Sequence, residues 1–397
     1  MRILFLAPHP FFVERGTPIA VRQAVTVLCE QGHEVDLLTY HEGAEVEIPG
    51  ARILRIRPGF GISNVPIGFS AKKLVCDAWL AAAALRQVRQ GDYDVVHAVE
   101  EAVFIALACR AAGKFRVVYD MDSLMPDQIA EKWPAARVLL PPLQWFERQA
   151  IRRADLILPV CQAIAERAEK ATSAAKVHLL PDVAFAPDAP DGCEIEDLRT
   201  LFVTPAPLAL YVGNLERYQG IDLLLEAFRR LPPEEACNLA VIGGTPEMVS
   251  GHRAKTSGLK IAERVRFLGQ RNLDALGAYL AQADILCSPR LKGVNTPMKV
   301  YGYMASGRAI LATDILSHSQ VLDSECAVLA RPDPQAICDG LRVLIRDGGL
   351  RARLGTNAAT RARELYGPAA FARRLERAYA TISPVPATSV PDAAALQ

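Results

Sequence analysis

A surplus of charge of either sign is missing from this chain: 45 basic and 44 acidic residues leave a formal net charge of +1 over 397 residues. Nothing in that total asks for nucleic acid as a partner. Lysine is scarce, at 10 against 35 arginines, and alanine is abundant, a bias that reads as genome composition. Nine cysteines are present but no two have CxxC spacing, which excludes the common zinc and redox motifs. Several sit inside apolar runs, as Cys287 does, and read as buried free thiols of a reducing compartment. Long apolar runs are also absent. The stretch from Leu74 to Leu85 is broken by Asp77 and is too short to span a bilayer. At the N-terminus Pro8 cuts off a short apolar stretch, unlike a signal peptide. There is no Gly-x-Ser-x-Gly elbow and no Gly-Lys-Thr phosphate loop. The expectation is a cytoplasmic protein, with peripheral contact at the inner face of the cytoplasmic membrane left open.

What is present is 51% apolar and 22% charged residues, ordinary for a globular protein, at a length that calls for two domains. Ile3–Ala7 is a continuous apolar run, as a parallel strand covered on both faces requires. Strand and helix patterns then alternate. Strands are expected at 35–39, 51–57, 94–98, 115–120, 155–159 and 176–180. Helices are expected at 17–30, 70–90, 102–112, 143–153 and 161–172. The pattern lapses over the proline-rich segment 181–207 and resumes with strands at 208–212, 238–242, 265–268, 284–288, 309–312 and 326–330. Helices of the second series are expected at 219–231, 246–262, 272–281, 297–305 and, as a pair, across 333–365. A terminal amphipathic helix is expected at 369–381. This is an α/β chain with two Rossmann-like domains of parallel sheet flanked by helices, facing across a cleft. The expected division is an N-terminal domain at 1–185, a linker at 186–206, a C-terminal domain at 207–367, a terminal helix at 368–383 and a mobile tail at 384–397. Ligands bind beyond the carboxyl ends of parallel strands, so the residues that follow those strands are the ones to weigh.

The segment Tyr211-Val212-Gly213-Asn214-Leu215-Glu216-Arg217-Tyr218-Gln219-Gly220 and the helix after it resemble the first strand, loop and helix of the donor domain in GT-B glycosyltransferases. The subgroup is the retaining family 4, also called group 1. Four further landmarks agree: Val241-Ile242-Gly243-Gly244, Val265–Gly269, Asn295–Ile310, and, in the first half, Gly32-His33-Glu34-Val35 with Asp94-Val95-Val96-His97. The resemblance covers residues 1 to 381. It implies a GT-B fold, an acceptor-side N-terminal domain and a donor-nucleotide C-terminal domain. The terminal helix would cross back to the first domain. It also implies a nucleotide-diphosphate sugar, UDP- or GDP-linked, as co-substrate, with no cofactor and no metal.

The polar set departs from the family. Its paired glutamates fall at Val294 and Gly302, its first-loop arginine and lysine at Asn214 and Gln219, and its acceptor-side histidine at Val99. Other residues must then meet the diphosphate. Lys299, in the first turn of a helix beside Thr296 and Pro297, joins an ammonium and a hydroxyl to the free amides of the helix start. A lysine there opposes the helix dipole, which makes a plain solvated lysine the weaker reading. Arg217, Lys292 and Arg290 are further cations near strand ends. Gly213 and Gly243 read equally as tight turns or as points of close ligand approach. Gly16 and Thr17, next to Arg15, open a helix that the family places under the donor phosphates; Thr17 reads equally as an N-cap. On the acceptor side His97, Glu100 and Asp122 end strands and are the candidates for contact with the reacting groups. A metal at Asp120 and Asp122 is the minor reading. His9 also ends a strand. The helix 70–90 and the apolar segment Phe60–Phe69 form a candidate peripheral membrane contact at residues 60–90.

The function expected is a retaining glycosyltransferase moving a sugar from a nucleotide-diphosphate sugar to a glycan, glycolipid or small-molecule acceptor. Two other classes stay open at this point: a non-catalytic GT-B glycan-binding or complex-forming protein, and a sugar-nucleotide epimerase or hydrolase.

Overall fold

A computed structural model describes residues 1–13, 16–57, 61–66, 70–132, 138–184 and 194–382. Arg15, Phe60, part of the 186–206 segment and the tail 384–397 lie outside the described residues. The first sheet contains β1 (Arg2–Ala7), β2 (Glu34–Thr39), β3 (Ala51–Arg55), β4 (Val95–Val99), β5 (Arg116–Met121) and β6 (Leu156–Pro159). Their order is β3-β2-β1-β4-β5-β6, and every pairing is parallel. The second sheet contains β7 (Leu208–Val212), β8 (Asn238–Ile242), β9 (Val265–Gly269), β10 (Ile285–Ser288), β11 (Ala309–Thr313) and β12 (Val328–Ala330). It repeats the pattern as β12-β11-β10-β7-β8-β9, again all parallel.

Helices α1 (Gly16–Glu30), α2 (Ala71–Gln90), α3 (Ala102–Cys109), α4 (Met125–Lys132), α5 (Leu140–Arg153) and α6 (Gln162–Glu169) accompany the first sheet. With the second run α7 (Ile221–Arg230), α8 (Pro246–Gly258), α9 (Leu276–Gln282), α10 (Met298–Ala305), α11 (Leu316–Ser319), α12 (Pro334–Arg346) and α13 (Gly348–Arg361), and α14 (Pro368–Ala380) ends the described chain. Side chains of β1 alternate between two cores. Leu4 and Leu6 pack with Cys76 and Leu80 of α2, while Ile3 and Phe5 pack with Val21 and Val25 of α1 and Leu375 of α14. Burial on both faces is why β1 is apolar without interruption. The strand order reverses direction between β1 and β4 in one sheet and between β7 and β10 in the other. Crevices open at such switch points.

Three local expectations change. Residues 176–180 do not form a strand; Val177 makes one isolated bridge to Ile157, and His178 and Leu180 donate single bonds to β6. Pro181 follows at once and has no N–H with which to extend a ladder. Residues 125–132, with no element expected, form α4. The described end of the linker, from residue 194, is not a free connector. Leu198 is fully buried and Phe202 nearly so in the second core, and the Leu198 amide donates to Gln282 Oε1 at 2.7 Å.

The chain returns to the first sheet through α14. Gln31, just after α1, donates to the Ala372 carbonyl at 3.0 Å, and Tyr379 Oη lies 2.7 Å from His97 Nδ1 in the first domain's interior. Both partners of that second bond are essentially inaccessible, so neither can exchange it for water. Replacing Tyr379 with Phe removes the hydroxyl and leaves the imidazole nitrogen without it. Urea unfolding of the Tyr379→Phe protein should show a loss of about 1–3 kcal/mol. An unchanged midpoint would mean that this contact does not hold the helix.

Candidate functional site

The second sheet presents its switch point as a small cationic recess. After β7, Gly213 adopts φ 146°, and a Cβ built there would stand 3.2 Å from Lys299 Nζ and 3.0 Å from Tyr211 Oη. Gly243 adopts φ 114°, where a Cβ would meet the Gly213 carbonyl oxygen at 2.0 Å. Gly243 is therefore required by the packing of two strand-end turns. Lys299 points from the first turn of α10 back across the recess. Its ammonium donates to Gln219 Oε1 at 3.0 Å and lies 4.0 Å from the centre of the Tyr211 ring. Burial, reinforced by the guanidinium of Arg290, holds its pKa well below the ordinary lysine range. The lysine is half-buried and hydrogen-bonded, unlike a fully solvated surface residue.

Arg290 follows β10 and is held by its own loop. Nε donates to the Lys292 carbonyl at 2.7 Å, Nη1 and Nη2 reach the carbonyl and side-chain oxygens of Asn295 at 3.2 Å each, and the guanidinium lies 5.5 Å from the centre of the Tyr218 ring. Gly293 makes this fit: a Cβ there would stand 2.2 Å from Arg290 Nη2. Thr296 is 2% exposed, just before α10. Arg217 and Lys292 are exposed. Arg217 lines a separate hollow of about 200 Å³ with Asp222, His252 and Lys255. Gly213, Lys299 and Arg290 are brought together; Arg217 is not part of that group.

The acceptor-side candidates collect at the carboxyl ends of β4 and β5. His97 is fully buried, stacked on Phe5 at 4.0 Å, with Nε2 3.2 Å from Asp120 Oδ2 and Nδ1 on Tyr379. Both ring nitrogens are engaged by neighbours within the fold. Glu100 turns the chain with φ 49° and accepts from Ser123 Oγ at 2.8 Å. Thr17 lies within α1, which begins one residue earlier, so it is not the N-cap; its side chain bonds Asp122. A Cβ at Gly16 would find nothing within 4 Å, so that helix start has open space beside it. Burial, then the charges of Asp120, Glu100 and Asp182, push the Asp122 carboxyl well above its usual range. Asp182, raised to about 7 by burial and Asp120, also acts on Tyr301 of α10.

A second polar group lies at the same edge. Lys73 is 8% exposed and pairs with Glu101. Burial opposes the ammonium, but Glu101, Glu100 and Asp77 outweigh it and its pKa is raised. Burial lifts Glu101 to about 7 against the pull of Lys73. His9, 4% exposed and lowered to about 4 by burial, bonds the Pro10 carbonyl through Nδ1 while Nε2 has no hydrogen-bond partner. Among the described residues no group of three or more His, Cys, Asp or Glu side chains is arranged to hold a metal ion.

Sequence reasoning missed Gln219 as the partner of Lys299, and it missed Asp182, Lys73 and Gln320. Gln320 joins the two halves: Nε2 donates to the Val294 carbonyl at 2.8 Å, and Oε1 accepts from the Ala163 amide at 3.3 Å. Val294, where the family carries its first glutamate, packs against the first core. Gly302, at the second glutamate's place, is buried in α10. No local pattern marks these residues, because each acquires its partner from a distant element.

The raised carboxyls give a pH test. An unfolded carboxyl titrates near 4, whereas Asp182 titrates at about 7 when folded. Between those values the folded state binds more protons, so stability falls as pH rises through that window. Chemical denaturation at pH 5 and pH 7.5 should show a smaller loss for Asp182→Asn than for the wild type. Equal losses would place Asp182 in contact with water.

Comparisons with known proteins agree with this architecture. The family described as Glycosyltransferase Family 4 matches residues 15–182, and that described as Glycosyl transferases group 1 matches residues 206–347. A phosphatidyl-myo-inositol mannosyltransferase of Mycobacterium tuberculosis is 23% identical over 407 aligned positions, covering 96% of this chain and 97% of its own. Sucrose-phosphate synthase of Thermosynechococcus elongatus superposes with a TM-score of 0.78 at 20% identity, covering 96% of this chain and 98% of its own. HepE of Anabaena, in complex with UDP-glucose, superposes with a TM-score of 0.72 at 16% identity, covering 96% and 100%.

Proposed function

This chain belongs to the group 1, family 4 glycosyltransferases of GT-B form, and from that premise we propose that it transfers a sugar from a nucleotide-diphosphate sugar with retention of the anomeric configuration. The observation that carries the donor assignment is the Lys299 ammonium, 3.0 Å from Gln219 Oε1 and beside the Gly213 turn. Gln219 aligns with the family's loop lysine. The positive charge is thus missing from its usual place in the sequence but supplied to the same recess from α10. Arg290 adds a second cation, the first amides of α10 add N–H donors, and Thr296 adds a hydroxyl. As the anomeric bond breaks, negative charge grows on the leaving diphosphate. Donors fixed in place before the reaction then strengthen without reorganising. Residues 207–367 hold the donor, residues 1–185 hold the acceptor, and the segment 368–383 returns to the first domain.

Glu100, Asp122 and Asp182 are assigned to the acceptor hydroxyls and the reacting sugar, with the α1 start at Gly16 and Thr17 beneath the donor phosphates. Retention is inherited from the family. UDP as the donor base is supported by the UDP-glucose complex of HepE. A lipid-linked acceptor is supported by the phosphatidyl-inositol substrate in the name of the mycobacterial relative and by the basic, partly apolar α2 within residues 60–90. No helix among the described residues is long and apolar enough to cross a membrane, so contact with such an acceptor would be peripheral.

Calorimetric titration with UDP, GDP, ADP and CMP tests the donor site. One diphosphate should bind, and Lys299→Ala should weaken it by about 1.5–3 kcal/mol, the usual range for hydrogen bonds to a charged group. Equal binding by both proteins would remove Lys299 from the site.

A further inference from the structure

Behind Arg290 lies a buried polar series that the donor assignment does not use. Ser288 ends β10, Thr313 ends β11 and His318 belongs to α11, and all three are fully inaccessible. His318 Nδ1 lies 2.8 Å from the Thr313 carbonyl oxygen, and Nε2 lies 2.9 Å from Ser288 Oγ. A carbonyl oxygen only accepts, so Nδ1 carries the hydrogen. Burial, opposed by the Thr313 carbonyl and helped by the charges of Lys299 and Arg290, lowers the pKa of the ring to about 4. The imidazole is therefore neutral near pH 7. Its Nε2 is an acceptor, and Ser288 Oγ donates to it.

Thr313 completes the series. Its Oγ1 lies 3.1 Å from His318 Nδ1 and donates to the Arg290 carbonyl at 2.5 Å. A hydroxyl has one hydrogen, so the ring N–H is shared by the two oxygens of Thr313 while the Thr313 hydrogen goes to Arg290. The donors thus run in one direction, from Ser288 through His318 and Thr313 to the backbone of Arg290. With no water present to compete, each bond in such a series reinforces the next.

The series grips a loop. The guanidinium of Arg290 is tied to Lys292 and Asn295 of that same loop. Those bonds set the side chain on the loop; the loop must still be set on the sheet. Ser288 and Thr313 end neighbouring parallel strands, whose last paired position is Ser288 with Ala312. His318 closes over both ends. Further along, the Leu291 amide donates to the Tyr218 carbonyl at 2.8 Å, and Gln320, just after α11, donates to the Val294 carbonyl. One short helix and its exit therefore hold residues 288 to 294 at both ends. A cation stabilises developing charge best when it is fixed in place beforehand, and fixing it takes a supporting shell of this kind.

We propose that His318, acting through Thr313, is a positioning residue of the donor site. It fixes the backbone of Arg290 and so the direction in which the guanidinium meets the diphosphate. The imidazole itself touches neither substrate nor the reacting atoms. This role rests on the donor reading of Arg290 and Lys299.

Calorimetric titration of the full chain with UDP and with GDP tests it as a double-mutant cycle. Thr313→Val removes the hydroxyl with little change of shape, and His318→Leu removes both ring nitrogens. Each should weaken diphosphate binding by about five- to tenfold, the range that loss of one buried hydrogen bond gives. In the Arg290→Ala background, where Lys299 should keep binding measurable, the same changes should stay within about twofold of that background. The group they position is then gone. A merely structural loss would carry its full penalty into both backgrounds. Thr313→Val disturbs the packing least and carries the cycle alone if His318→Leu does not fold. Equal penalties in both backgrounds, or wild-type binding by the folded single variants, overturns the proposal and leaves the donor reading standing. Wild-type binding by Arg290→Ala overturns it too, by removing Arg290 from the site. Binding of neither UDP nor GDP by the wild type sinks the donor reading itself, and the role of His318 falls with it.

Discussion

A parallel strand hydrogen-bonded on both sides and covered on both faces leaves polar function only at its ends. That constraint governs this molecule twice over. Ile3 to Ala7 and Leu208 to Leu210 have essentially no exposure, so chemistry is pushed to the residues that follow them. The reversal of strand order beside β1 and β7 opens the place where a ligand can enter. Every polar group of interest sits on that boundary: Gly213, Arg290 and Lys299 on one sheet, and Glu100, Asp122 and Lys73 on the other.

The two edges solve opposite electrostatic problems. Beyond the second sheet Lys299 and Arg290 disfavour one another, beside the rings of Tyr211 and Tyr218. Beyond the first sheet Asp120, Asp122, Asp182 and Glu100 crowd together, and burial adds to their repulsion. A cationic half facing an acidic half suits a reaction in which negative charge departs from one side while positive character develops at the sugar between them. Gln320, which donates to the Val294 carbonyl of its own half, accepts from the Ala163 amide of the first and so joins the two.

His97 shows how a strand-end histidine can serve the frame. Its ring lies on Phe5 and bonds Tyr379 of the last helix and Asp120 of β5. It couples α14 to the strand end that carries Glu100. The acidic cluster and the return of the chain are therefore parts of one buried network, and such networks are coupled beyond their pairwise contacts.

Local sequence determined most of the elements. The apolar runs of β1, β7 and β10 and the helix patterns of α2 and α12 required both sheets, because the periods of burial are written in adjacent residues. The glycines after β7 and β8 were legible for the same reason: a turn that excludes a Cβ is a local demand. Lys299 was legible as an oddity, a cation at a helix start. Residues 176–180 were misread because their apolar pattern suited a strand, while edge position and Pro181 decided otherwise. Tertiary structure alone decided that Gln219 meets Lys299 and that Lys73 is buried where Lys72 is not. Each of those facts depends on chain segments brought together from far apart in sequence, and electrostatic environment is a property of that assembly, which no single segment carries.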